Sequence, residues 1–147
     1  MARILIVEDS PEGLELMAYL LEAAGHCVRR AASASRALLE LRNGPFDLVV
    51  CDLQLGATSG VELLRMVRAD PRLESIPFVA VSAGAGRDLP GRACALGFAG
   101  FFAKPIAPLL FARELEELLQ RAHARAPAAA ELNERRCANE PRQGLAG

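Results

Sequence analysis

The chain has few of the features that mark membrane-bound, secreted or nucleic-acid-binding proteins. No apolar run approaches the roughly 20 residues that a helix needs to cross a bilayer. The start, MARILIVEDS, lacks the cleavage-site pattern of a signal peptide and is better explained as a strand. No basic stretch carries interleaved aromatic residues, which argues against direct nucleic-acid binding. We therefore expect a cytoplasmic protein that binds neither membranes nor nucleic acids directly.

The four cysteines lack the spacing of a metal site. There is no C-x-x-C pair, and neither His26 nor His123 stands at ligand spacing from a cysteine. We expect reduced thiols, with Cys51 packed in a core strand.

Lysine is almost absent. Of the seventeen basic residues, sixteen are arginines and one is a lysine, Lys104. The sequence uses arginine where only positive charge is needed, so the exception suggests a position that requires an ammonium group. Taken alone, the observation is better explained by a surface residue that has no special role.

The length and composition indicate one folded domain followed by a tail. A chain of 147 residues with 52% hydrophobic residues and a net charge of −1 can form one domain with a substantial core. We place this domain at residues 1–123. Residues 124–147 contain almost no large apolar side chains, so we expect a flexible C-terminal tail there.

Short apolar runs alternate with helical patterns along the domain. Strands are predicted at residues 3–7, 27–31, 46–53, 77–83 and 98–103, and helices at residues 11–25, 35–44, 60–69, 88–96 and from 108 onward. Apolar strands joined through helices indicate a parallel sheet covered on both faces. The predicted fold is α/β, a flavodoxin-like doubly wound (βα)5 three-layer sandwich whose five-stranded parallel sheet has the order 2-1-3-4-5.

Two connections are predicted to be unusual. Pro90 and Gly91 weaken the fourth helix, which we expect to be short, displaced or mobile. The loop after the third strand contains Gly56 and is expected to be flexible, although Ser59 can still cap the third helix.

Polar residues stand at the carboxyl ends of four of the five predicted strands, at the edge where ligands bind in such sheets. They are Glu8, Asp9, Asp52, Ser82 and Lys104. Each could instead be a helix cap or a turn residue. Three clustered carboxylates repel one another unless a cation lies among them, and oxygen ligands suit Mg²⁺. A lysine beside such a metal site is a suitable partner for a phosphoryl group.

This arrangement resembles the receiver domain of two-component response regulators over about residues 3–121. The resemblance rests on five motifs in order: VEDS after the first strand, Asp52 after FDLVVC, Gly60 eight positions later, Ser82-Ala83 after the fourth strand, and Phe101 three positions before Lys104-Pro105. Each motif alone is weak evidence, but their order and spacing together are specific.

The resemblance implies a phosphorylation site. Asp52 would accept a phosphoryl group from a phosphohistidine on a sensor histidine kinase or a histidine phosphotransfer protein. Asp9, Asp52 and the backbone carbonyl of Gln54 would bind Mg²⁺, with Mn²⁺ as an alternative, and Glu8 would hold metal-bound water. Gly60 would have a structural role.

The resemblance also implies a conformational switch. Lys104 would pair with Asp52 before transfer and with the phosphoryl group afterwards, and the Lys104–Pro105 peptide bond would be cis. Ser82 would bond the phosphoryl group, and Phe101 would then turn inward. The surface of the fourth helix, fifth strand and fifth helix would change, and a downstream protein would bind it.

Three functional hypotheses remain open from the sequence. The first is a stand-alone receiver, a monomer or a phosphorylation-dependent dimer, which catalyses only its own phosphorylation and dephosphorylation and is not otherwise an enzyme. The second is a receiver-like adaptor that acts without phosphorylation. The third is an aspartyl-phosphate phosphohydrolase, but such enzymes usually have a second acid two residues after the nucleophile, where this chain has Gln54. A flavin or nucleotide site after the first strand is disfavoured because no phosphate-binding loop follows that strand.

Overall fold

The computed structural model describes residues 1–84 and 89–125. In chain order the elements are β1 (Arg3–Val7), α1 (Pro11–Ala23), β2 (Cys27–Ala31), α2 (Ala34–Asn43), β3 (Leu48–Asp52), β4 (Gln54–Leu55), β5 (Thr58–Ser59), α3 (Gly60–Arg68), β6 (Phe78–Ser82), α4 (Leu89–Leu96), β7 (Gly100–Ala103) and α5 (Pro108–Arg125).

Five of the strands form one parallel sheet in the order β2-β1-β3-β6-β7. Strands β3 and β6, the fully buried strands of this sheet, are apolar apart from their last residues, Asp52 and Ser82. This is the pattern of parallel strands covered on both faces. The sheet and its five helices confirm the predicted flavodoxin-like fold, with β6 and β7 as the fourth and fifth predicted strands.

The two faces of the sheet carry separate hydrophobic clusters. Along β1, Ile4 and Ile6 belong to one cluster, whereas Leu5 and Val7 belong to the other, because successive side chains of a strand point to opposite faces. The first cluster includes side chains of α1 and α5, and the second includes side chains of α2, α3 and α4. These packed layers make the predicted three-layer sandwich.

Serine residues begin three of the helices. Ser10, Ser33 and Ser59 each accept a hydrogen bond from the backbone N–H three residues later, which satisfies one of the free donors at the helix start. The predicted cap of α3 is therefore correct. Helix α1 also has Pro11 at its first position, where a missing N–H costs nothing.

The loop after β3 contains a short hairpin, where we expected a flexible loop. Gln54 and Leu55 pair antiparallel with Ser59 and Thr58, so β4 and β5 form a small hairpin. Gly56 adopts φ +67° at its turn, a conformation that glycine accepts without strain. The side chain of Leu55 is buried and holds the hairpin against the core.

The weak fourth helix forms as α4 over eight residues, and part of the connection before it, residues 85–88, lies outside the described residues. The predicted domain boundary at residue 123 falls within α5, which continues to Arg125. The rest of the predicted tail, residues 126–147, also lies outside the described residues. None of the described helices is long and apolar enough to cross a bilayer.

The cysteine prediction is correct only in part. Cys51 is a free thiol buried in β3, and Cys94 is free and exposed. Cys27 is disulfide-bonded, so the expectation of four reduced thiols is wrong at that position. Cys137 lies outside the described residues.

Candidate functional site

Three carboxylates meet at the carboxyl edge of the sheet. Glu8 and Asp9 follow β1, and Asp52 is the last residue of the neighbouring strand β3. One oxygen from each side chain lies within 4.8 Å of the others. Glu8 and Asp52 are buried and Asp9 is exposed, so the cluster opens to solvent on the side of Asp9.

The Lys104 ammonium bridges two of these carboxylates. Its Nζ lies 2.6 Å from Glu8 Oε1 and 2.8 Å from Asp52 Oδ2. Lys104 follows β7, and its backbone N–H donates to the Ser82 carbonyl at 2.9 Å, which continues the pairing of β6 and β7 past the end of the strand. The next peptide bond, Lys104–Pro105, is cis.

Burial and the neighbouring charges shift the pKa values of this pair. The pKa of Glu8 is raised to about 7, chiefly by burial and then by the nearby Asp52, while the contacts with Lys104 and the Ser10 N–H oppose the shift. Burial lowers the pKa of Lys104, but its hydrogen bonds to Asp52 and Glu8 outweigh this, so the net shift is upward. The ammonium is therefore held in its charged form between two acids.

The donor set fits a hard divalent cation. Three carboxylates face one ammonium, which leaves an excess of negative charge at the exposed side of the cluster. Carboxylate oxygens grouped this closely are ligands that Mg²⁺ accepts together with water. Gln54, whose carbonyl was predicted as a ligand, is adjacent to the cluster, because its backbone N–H donates to Asp52 Oδ1 at 2.9 Å.

Ser82 and Phe101 lie on the two strands beyond Asp52. Asp52 is in register with Val81, so Ser82 stands one residue further along β6; its buried Oγ accepts a hydrogen bond from the Gly84 N–H at 3.0 Å. Phe101 is half-buried in β7 and packs against the hydrophobic cluster on the α2–α4 face. Ser82 therefore lies on the strand next to that of Asp52, and Phe101 lies on the edge strand beyond it.

Gly60 is required by a close approach of two backbone segments. Its N–H donates to the Leu53 carbonyl at 2.9 Å. A Cβ at this position would overlap the carbonyl oxygen of Asp52 and lie 3.0 Å from Cys51 Sγ. Only glycine allows α3 to start directly against the end of β3.

Comparison with known proteins identifies the family. Residues 4–122 match the family model of the response regulator receiver domain. The chain belongs to this family.

The receiver domain resembles stand-alone members of the family along nearly their whole length. It is 33% identical over 120 residues to chemotaxis protein CheY of Pseudomonas aeruginosa, an alignment that covers 81% of this chain and 97% of that protein. It is 32% identical over 116 residues to the polar-differentiation response regulator DivK of Brucella ovis, covering 79% and 94%. A CheY-like receiver domain of Methanospirillum hungatei superposes with a TM-score of 0.77 at 25% identity, covering 86% of this chain and 99% of that one.

These matches place the protein among two-component signalling proteins of the CheY and DivK type. Receiver domains are signalling modules rather than enzymes in the ordinary sense, and they typically bind Mg²⁺ at an acidic pocket. The acidic cluster of this receiver is such a pocket in composition.

Sequence reasoning missed one residue that shapes the receiver's acidic cluster. Gly13 lies in the first turn of α1, where an added Cβ would come within 3.2 Å of Glu8 Oε1. The cap residue Ser10 also contributes, because its N–H donates to Glu8 Oε2 at 3.3 Å. A glycine inside a predicted helix was the available signal, since it usually marks a close approach.

Proposed function

We propose that this receiver accepts a phosphoryl group on Asp52 and signals through a change in its protein-binding surface. The observation that carries the proposal is the placement of the buried Asp52 carboxylate, 2.8 Å from Lys104 Nζ and within the acidic cluster. Asp52 Oδ would attack the phosphorus of a phosphohistidine whose other ring nitrogen is protonated, the P–N bond would break, and the imidazole would leave as the neutral base. The donor would be a sensor histidine kinase or a histidine phosphotransfer protein.

The acidic cluster would supply the metal site for this reaction. Asp9, Asp52 and the Gln54 carbonyl would hold Mg²⁺, or Mn²⁺ in its place, and Glu8 would hold metal-bound water. When bound, the metal provides the positive charge that lets an anionic carboxylate approach an anionic phosphoryl group. Burial of Glu8 and Asp52 excludes water from the inner side of the cluster and strengthens each of these interactions.

Lys104 would move a short distance during the reaction. Its Nζ lies between two carboxylates, so it holds Asp52 in place before the transfer. Once Asp52 is converted to the acyl phosphate, its carboxyl group loses its charge and the ammonium would pair with a phosphoryl oxygen instead. Three rotatable donors on a flexible chain suit this exchange.

The conformational change that follows phosphorylation would begin at Ser82 and Phe101. The Ser82 hydroxyl would turn from the Gly84 N–H to the phosphoryl group, and Phe101 would move further inward. The surface of α4, β7 and α5 would then change its affinity for a downstream protein. We propose that the receiver works in the cytoplasm, as a monomer or as a dimer that forms on phosphorylation.

Phosphorylation by a small donor tests the proposal. The protein should incorporate phosphate from acetyl phosphate in the presence of Mg²⁺, and Asp52→Asn or chelation of the metal should abolish incorporation. Asp70→Asn is the matched control, since Asp70 lies after α3 and is bonded to Arg72, away from the cluster. Absence of any incorporation into the wild-type protein would favour an adaptor that acts unphosphorylated.

A further inference from the structure

The hairpin formed by β4 and β5 lies next to two carboxylates of the acidic cluster. At its first residue, the Gln54 backbone N–H donates to Asp52 Oδ1 at 2.9 Å. At its turn, a Cβ added to Gly56 would lie 3.8 Å from Asp9 Oδ2, so the turn stands beside the exposed carboxylate. The hairpin is therefore adjacent to both carboxylates that the proposed function assigns to the metal.

The hairpin is held at both of its ends. The Gly60 N–H donates to the Leu53 carbonyl at 2.9 Å, which joins the residue after the hairpin to the residue before it. Ser59, the last residue of the hairpin, caps α3 and accepts a hydrogen bond from the Glu62 N–H at 3.1 Å. Holding both ends of a short segment removes much of its conformational freedom.

A single buried side chain attaches the hairpin to the hydrophobic core. Of the hairpin's residues, all of which the structure describes, only Leu55 is buried. Its side chain is 6% exposed and belongs to the hydrophobic cluster on the α2–α4 face. It stands between Gln54 and Gly56, the two residues adjacent to the carboxylates. The position of both backbone segments therefore depends on the packing of this one leucine.

We propose that Leu55 is a positioning residue for the metal site, because it holds the Gln54 and Gly56 backbone beside the carboxylates before a divalent cation binds. The inference rests on the proposed function, in which Asp9, Asp52 and the Gln54 carbonyl hold Mg²⁺. The metal need not order a hairpin that is already in place, so the ordering cost does not reduce the affinity. Mg²⁺ requires near-ideal octahedral geometry, which makes its binding sensitive to ligand placement.

A Mg²⁺ titration of Leu55→Ala, followed by backbone amide NMR, tests the proposal. We expect the dissociation constant to rise about tenfold or more, as when a residue that orients metal ligands is lost. Leu73→Ala is the matched control, because Leu73 has the same 6% exposure in the same hydrophobic cluster but lies between α3 and β6, at the opposite edge of the sheet. This control should lose stability and keep the wild-type affinity for Mg²⁺.

Two further measurements do not depend on the alanine variants being folded. Leu55→Val and Leu73→Val repeat the comparison with a smaller loss of packing, and the dissociation constant should rise only in Leu55→Val. Nitrogen-15 relaxation of the metal-free wild type reports the order of the hairpin directly. We expect backbone order parameters of about 0.85 there, the value of rigid backbone, and not the values below about 0.6 that mark a flexible loop.

The outcomes separate this proposal from the proposed function. An unchanged affinity in the Leu55 variants, an equal loss of affinity in the Leu73 variants, or a flexible hairpin in the metal-free wild type would overturn the role of Leu55. The proposed function would stand in each of these cases if the wild type binds Mg²⁺ and incorporates phosphate. A wild type that binds Mg²⁺ without incorporating phosphate would contradict the proposed function alone, and one that binds no Mg²⁺ would overturn both.

Discussion

The Lys104 ammonium contacts Glu8 and Asp52 at once, at 2.6 and 2.8 Å, and neutralises part of the charge of both. This geometry gives a physical meaning to the single lysine of an arginine-rich sequence. A planar guanidinium binds one carboxylate through two hydrogen bonds and is held in that orientation, whereas an ammonium can exchange one oxygen partner for another. The position therefore favours lysine for its mobility as well as for its charge.

We predict that Lys104→Arg largely uncouples phosphorylation from the conformational change. The guanidinium should stay paired with Glu8 or Asp52 and transmit little movement to β7. The measurement is the set of backbone amide shifts in β7 and α5 when beryllofluoride is added as a phosphoryl analogue. Arg113→Lys, at an exposed position of α5, is the control and should respond as the wild type does. A full wild-type response in Lys104→Arg would contradict the prediction.

Gly60 allows a second prediction, about stability. Gly60→Ala should lower the free energy of unfolding by about 1–3 kcal/mol, because the added Cβ overlaps the Asp52 carbonyl and crowds Cys51. Gly91→Ala is the matched control: an added Cβ there has no heavy atom within 4 Å, and alanine should stabilise α4 by up to about 1 kcal/mol. Urea unfolding measures both; equal effects of the two substitutions would show that the close approach at Gly60 is not tight.

Helix α5 carries both buried and exposed leucine side chains. Leu115 is fully buried against the sheet, whereas Leu109, in the first turn, is 84% exposed. Leu115→Ala should lower the free energy of unfolding by about 2–5 kcal/mol, the range for emptying a packed core site. Leu109→Ala should change it by less than about 0.5 kcal/mol, as expected for an exposed residue. A large loss of stability in Leu109→Ala would place that side chain in the core instead.

His26 contacts both helix α5 and the residue before strand β1. Its buried Nδ1 accepts a hydrogen bond from the Ala2 N–H at 3.1 Å, so the proton of the neutral ring is on Nε2, which lies 3.1 Å from Glu116 Oε1. Burial lowers the pKa of His26 from its ordinary value of 6.5, and the nearby N-terminal amine acts in the same direction, while Glu116 and Asp47 oppose the shift. The folded protein therefore disfavours protonation of this ring.

The sign of the resulting pH dependence follows from this shift. His26 contributes stability that is complete above its ordinary pKa of 6.5 and is lost as pH falls towards and through its lower folded-state pKa. Glu8, whose pKa is raised to about 7, acts in the opposite sense over part of this range. The informative quantity is thus the difference between wild type and His26→Gln in urea unfolding free energy, which should shrink as pH falls below 6.5.

An NMR titration of the His26 ring gives an independent check. We expect a midpoint below 6.5 in the wild-type protein and a lower one in Glu116→Gln, since Glu116 favours the charged ring. A midpoint at or above 6.5 would contradict this account of the contact between α5 and the sheet.

The β4–β5 hairpin shows where local sequence patterns are insufficient. Gly56 in the segment after β3 suggested a flexible loop. The structure pairs Leu55 with Thr58 and buries the Leu55 side chain, which depends on contacts with distant parts of the chain. Segments this short have almost no periodicity, so their pairing is decided by tertiary packing.

In the molecule as a whole, the parallel sheet could be predicted from the sequence, whereas individual contacts between the segments around it could not. Buried strands such as β3 and β6 appear in the sequence as continuous apolar runs, and the rule on strand ends then groups Glu8, Asp52 and Lys104. The close approach of the Gly13 backbone to Glu8 and the contact of His26 with Glu116 each join residues on different segments of the fold. Neither has a local sequence signal strong enough to identify its partner.

The central claim is that Asp52 carries the phosphoryl group, and chemical mapping of the modified residue tests it most directly. Borohydride reduces an aspartyl phosphate to homoserine, which peptide mass spectrometry can locate. After treatment with acetyl phosphate and Mg²⁺, we predict homoserine at position 52 only, and none without the metal. Homoserine at Asp9, the corresponding reduction product 2-amino-5-hydroxypentanoic acid at Glu8, or the absence of a reduced residue at every acidic position of the phosphorylated protein would contradict the prediction.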